Sequence, residues 1–98
     1  MLPENRVPTH PGEILSEEFL VPLQVTPPAF AKHIGVPAPR VYEIIRGQRG
    51  VTPETAWLFA QALGTTPEFW LNLQNAYNLA RVQPKRKHIA RLQMREAA

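Results

Sequence analysis

The chain has 98 residues, of which 44% are hydrophobic and 19% charged, which is enough for one small globular domain and too apolar for a disordered chain. It has no cysteine, which excludes disulfides and thiolate chemistry and fits a reducing cytoplasm. No apolar run approaches membrane-spanning length, the start "MLPENRVPTH" lacks the apolar stretch of a signal peptide, and the net charge of +3 leans towards anionic partners.

Proline and glycine divide the chain into helices. The first is expected over Pro11 to Leu20, with Ile14, Leu15 and Phe19 inward and Pro22 as its stop. Threonine followed by proline then recurs at Thr26-Pro27, Thr52-Pro53 and Thr66-Pro67. A threonine hydroxyl can accept from the free N–H groups of a first helical turn, and proline suits the first helical position because no N–H is needed there. These pairs start a second helix over Pro27–Ile34 (Phe30, Ala31, Ile34 inward), a fourth over Pro53–Leu63 (Ala56, Phe59, Ala60, Leu63 inward) and a fifth over Pro67–Arg81. The fifth carries Phe69, Trp70, Leu73, Ala76 and Tyr77, and Pro84 follows its end. Glycines Gly35, Gly47 and Gly64 stand where helices should stop. No run alternates with the period of a strand.

A third helix fits between Pro39 and Arg46, joined to the second by "GVP". Two short helices across a glycine turn make a helix-turn-helix, whose second helix enters the DNA major groove. Val36, Val41, Ile44 and Ile45 would face inward, leaving Arg40, Tyr42, Glu43 and Arg46 outward, with Gln48 and Arg49 in the loop. Ala38 precedes a proline, is expected as a poor N-cap, and with Pro39 offers only methyl and ring carbons, suited to thymine methyl contacts. Hydrogen-bonded base readout then falls to Arg40 and Glu43, with Arg46 and Arg49 on phosphate. Thr26 and Lys32 of the second helix complete the candidate DNA-contact set. The plain alternative is that the three arginines are only a solvated face; the glycine turn and helix spacing favour DNA.

"HPGEILSEEFLVPL" (10–23), "VYEIIRGQRGVTPETA" (41–56) and "TTPEFWLNLQNAYNLA" (65–80) resemble, in that order, the HigA/VapI-type antitoxins of bacterial toxin–antitoxin modules, within the Xre/Cro-like helix-turn-helix family. The resemblance covers about residues 7 to 82. It implies an all-α, five-helix, lambda-repressor-like domain, homodimerisation, repression of its own operon, and neutralisation of a HigB-like toxin, a ribosome-dependent mRNA endonuclease. Two residues depart from the pattern: Pro37 stands where a serine or threonine cap is common, and Trp57 where a smaller or polar residue is usual.

The fifth helix is too apolar for a lone surface helix. Phe69, Leu73, Ala76 and Ala80 would form one stripe, with Trp70, Leu71 and Tyr77 partly outside it, so Trp70, Leu71, Leu73 and Tyr77 are the candidate dimer interface. The alternative is that a small core absorbs them. A two-fold dimer would read a palindromic operator. After Asn78 the charge is almost entirely positive (Arg81, Lys85, Arg86, Lys87, Arg91 and Arg95 against Glu96). Residues 1–82 are therefore expected as the DNA-binding domain and 83–98 as a basic tail, helical or mobile. That tail matches a basic, RNA-binding toxin poorly and nucleic acid better.

His10 and Glu13 share a spacing that metals use, but two ligands make no closed site, and a helix-start motif explains them better. His33 is expected on the surface or facing phosphate, and His88 has no visible partner in the tail. Adjacent Glu17 and Glu18 point apart and form no catalytic acid pair. With no nucleophile–base arrangement and no phosphate loop, the chain reads as a non-enzyme without cofactor, metal, small-molecule substrate or membrane association. The leading reading is a cytoplasmic antitoxin that represses its own operon. The alternatives are a toxin inhibitor with weak or no DNA binding, or a stand-alone Xre-type repressor.

Overall fold

The computed structural model describes residues 8–82 and 89–93, and within these every regular element is helical. Helix α1 is one continuous rod made of an α-helical turn, Pro11–Ile14, a π-helical stretch, Leu15–Leu20, and a closing turn, Val21–Leu23. Then come α2 (Pro27–Ile34), α3 (Ala38–Ile45), α4 (Pro53–Leu63) and α5 (Pro67–Arg81).

The threonine caps form as expected. Thr26, Thr52 and Thr66 each accept through Oγ1 from the N–H three residues on, at 3.3, 3.3 and 3.1 Å, and each precedes a proline at the first helical position. Gly35, Gly47 and Gly64 all lie at positive φ, 79°, 75° and 74°.

Helix α1 departs from expectation: Pro22 does not stop it. A proline inside an α-helix removes a hydrogen bond and presses its ring on the carbonyl four residues back. Here the preceding turn is widened, and Val21 N–H reaches five residues back to the Ser16 carbonyl. The helix therefore runs on to Leu23 and closes at Gln24, at φ 59°. The wide turn also explains why Leu20 is buried alongside Leu15 although they are five apart.

The core is built around an aromatic stack. Trp70 is 0% exposed, and its ring centroid lies 5.4 Å from Phe19, 5.1 Å from Phe59 and 5.0 Å from Phe69. Phe59 continues the stack to Phe30 at 5.6 Å. The indole Nε1–H donates to Thr65 Oγ1 at 2.7 Å, so the one polar atom of this side chain is paired. Leu15, Ala31, Val41, Ile44, Val51 and Ala56 fill the space around it.

The inward face of α5 is not the stripe of Phe69, Leu73, Ala76 and Ala80 expected from spacing. Trp70 and Gln74 are its buried residues, Leu71 and Leu73 are half-buried at its flanks, and Phe69 and Ala76 are exposed. The small domain needs its largest side chain at the centre, and that sets the rotation of the helix. No helix among the described residues is long and apolar enough to cross a membrane. Of the tail, residues 89–93 are exposed and carry no helix, while 83–88, including His88, and 94–98 lie outside the described residues.

Candidate nucleic-acid interface

Helix α3 is held on three sides. Val41 and Ile44 sit in the core, and Ile45 packs against its edge. The turn before it begins where Gly35 N–H and Val36 N–H both return to the Ala31 carbonyl, at 2.9 and 3.0 Å, which bends the chain sharply out of α2. Below it, the start of α1 lies against its end: a Cβ on Gly12 would overlap the Ile44 carbonyl. Only glycine allows that approach.

His10 completes this contact. Its Nδ1 accepts from Gly12 N–H at 2.9 Å, making it the N-cap of α1, and its ring meets Tyr77 of α5 edge-on at 4.7 Å. Burial, and secondarily the Arg81 charge, hold the imidazole below its ordinary value. The neutral ring is the form that can accept the cap bond. His10 is thus a helix-start residue; Glu13 is exposed beside it.

The N-cap of α3 is Pro37, not Ala38 as expected from its place before Pro39. Pro37 has φ −65° and ψ 142°, and Ala38 and Pro39 are the first two helical residues. A proline at the cap and another in the first turn lack N–H groups that would in any case have no helical partner. Ala38 adopts the helical region because its side chain packs against the core.

On the outer side, Pro39, Arg46, Gln48 and Arg49 are exposed, while Ala38, Arg40, Tyr42 and Glu43 are half-buried. Arg46 lies over the Tyr42 ring at 5.4 Å. Glu43 has a partner that spacing did not indicate: its Oε1 accepts from Arg49 Nε at 2.7 Å. The two side chains are 51% and 39% exposed, so the pair is weak and exchangeable, contributing about 0–1 kcal/mol. It aims Arg49 while leaving the two Nη groups to reach an anion. Helix α3 ends where Gly47 N–H returns to the Ile44 carbonyl and Gln48 N–H to the Glu43 carbonyl, at 3.0 and 2.8 Å. Thr26 and Lys32 are exposed at opposite ends of α2.

The structure therefore gathers Ala38, Pro39, Arg40, Tyr42, Glu43, Arg46, Gln48 and Arg49 on one helix and the loop that leaves it. Of the residues expected at a dimer interface, Trp70 lies wholly inside the protomer and has no surface to present to a second copy. Leu71 and Leu73 are half-buried, and Tyr77 is engaged with His10 and Arg81. His33 lines an apolar groove with Leu23, Ala29 and Leu63, so it borders α4. Trp57 stands 57% exposed on α4. Sequence spacing missed Gln74, buried and bonded to the loop after α3, because a lone polar residue on an apolar helix carries no periodic signal.

Residues 29–70 match the Helix-turn-helix family. Virulence-associated protein I of Dichelobacter nodosus is 40% identical over 87 residues, covering 88% of this chain and 81% of that protein. Antitoxin HigA-1 of Vibrio cholerae is 46% identical over 76 residues, 76% of this chain and 70% of its own length. The solved structure of Pseudomonas aeruginosa antitoxin HigA with higBA promoter superposes with a TM-score of 0.74 at 43% identity, over 76% of this chain and 80% of that one.

Proposed function

The chain belongs to the HigA-type antitoxins of the helix-turn-helix family, and from that premise we propose that it binds the operator of its own operon as a homodimer and neutralises a HigB-like mRNA endonuclease toxin. The observation that supports this reading most is α3 itself. Its apolar residues are consumed by the core, and what remains outward is a compact cationic and aromatic face on a rigid helix.

We assign base readout to Arg40, with the Ala38 and Pro39 carbons against thymine methyl groups. Thr26, Lys32, Arg46, Gln48 and Arg49 take the phosphates, Tyr42 carries Arg46, and Glu43 orients Arg49. Residues 1–82 form the DNA-binding domain and 83–98 a basic extension that adds non-specific attraction. The dimer forms through the flanks of α5 at Leu71, Leu73 and Tyr77, and the protein works in the cytoplasm without a cofactor.

Two assays test this reading. A reporter behind the protein's own promoter should fall on its expression, and expression should restore growth to cells producing the neighbouring toxin. Growth rescue without repression would leave only toxin inhibition, and repression without rescue would leave a stand-alone repressor.

A further inference from the structure

Gln74 is buried in α5, 7% exposed, on the same face as Trp70. A buried polar amide is unfavourable unless its atoms are hydrogen-bonded. Both ends are. Oε1 accepts from Val51 N–H at 2.7 Å, and Nε2 donates to Asn78 Oδ1 at 2.9 Å.

Val51 belongs to the loop that leaves α3. Among the described residues, the bond to Gln74 is the only hydrogen bond made by a backbone N–H of residues 49–51. The loop also lies flat on the amide: a Cβ on Gly50 would sit 3.2 to 3.3 Å from three atoms of the Gln74 side chain. Arg49 is thus suspended between two fixed points. On one side Gln48 N–H closes onto the Glu43 carbonyl at 2.8 Å, and on the other Val51 is clamped by Gln74.

We infer that Gln74 is a positioning residue for DNA binding, which holds the post-recognition loop so that Arg49 meets phosphate in a preset geometry. The inference rests on the DNA-binding reading above. It also makes α5, the helix proposed for dimer contact, one rigid piece with the DNA face.

The test compares wild type, Gln74→Met, Arg49→Ala and the double variant on the protein's own promoter duplex and a scrambled duplex, over a series of salt concentrations. Arg49→Ala is expected to lower affinity for both duplexes and to reduce the salt slope by about one, as loss of one phosphate contact does. Gln74→Met is expected to weaken binding about fivefold in the same sequence-independent way, yet to add less than about twofold when Arg49 is already alanine. Val51 amide hydrogen exchange in the free protein should be slow in wild type and faster in Gln74→Met. Should Gln74→Met not fold, Gly50→Ala perturbs the same contact from the exposed loop and is expected to lower the salt slope likewise.

An unchanged salt slope in the folded variant, losses that multiply in the double variant, or unchanged Val51 exchange would each overturn the inference. In those cases wild type still binds its promoter. A wild type that binds no DNA is a different result, which removes the DNA-binding reading and this inference together.

Discussion

Trp70 separates a core account of α5 from an interface account, and Trp70→Phe is the variant that measures it. The indole is 0% exposed, surrounded by three phenylalanine rings within 5.4 Å, and donates to Thr65 at 2.7 Å. Phenylalanine keeps one ring but removes roughly three heavy atoms, worth about 2 kcal/mol in transfer free energy before any cavity term. Loss of the Nε1 bond adds about 0.5–1 kcal/mol, since Thr65 is half-buried and recovers water in part. The sum, about 2–3 kcal/mol, is a large share of the roughly 5–10 kcal/mol expected for a domain this size. Thermal unfolding should therefore drop by about 10–20 °C. Unfolding is followed by circular dichroism at several protein concentrations, with the dimer dissociation constant measured separately. A variant that lost less than about 1 kcal/mol of protomer stability, yet dissociated more readily as a dimer, would refute the placement of Trp70 inside the protomer.

Arg40→Ala should weaken promoter binding by about 1–3 kcal/mol and scrambled-duplex binding by less; an equal loss on both would remove its base-reading role. Gln24→Gly should stabilise the fold by about 1 kcal/mol, because Gln24 sits at φ 59° where a side chain is disfavoured, and an unchanged urea midpoint would contradict this. Gly12→Ala should destabilise strongly, since its Cβ would overlap the Ile44 carbonyl, and a midpoint like wild type would show that α1 and α3 do not meet so closely. His10 is held below its ordinary value of 6.5, so the unfolded chain takes up its proton first as the pH falls. Its contribution should be complete above about pH 6.5 and lost as the pH drops through the lowered folded value, so wild type should lose more stability than His10→Asn between pH 7.5 and 5.5. Equal losses would remove His10 from the account.

Features that act within one turn were readable from the chain. Each threonine cap is a contact three residues long, and each helix-ending glycine answers a local need for positive φ. The outer face of α3 was readable because Val41, Ile44 and Ile45 set the rotation of a short helix. What spacing missed depended on partners distant in sequence. The widened turn that lets α1 pass Pro22 is an exception: it is local, but it breaks the 3.6-residue period that spacing reads. Burial of Trp70 and Gln74 together depends on α4 and on the loop after α3. The Glu43–Arg49 pair needed the path of that loop, which no periodicity encodes.

Repression through α3 requires sequence-specific binding to the operator of this protein's own operon. That binding is tested most directly by titrating the purified protein onto its promoter duplex at two salt concentrations, with a scrambled duplex beside it. Promoter binding should be at least about a thousandfold tighter than scrambled, with two subunits per site and affinity falling steeply with salt on both duplexes. Equal, weak binding to the two duplexes would contradict operator reading by α3 and leave toxin inhibition as the function of this fold.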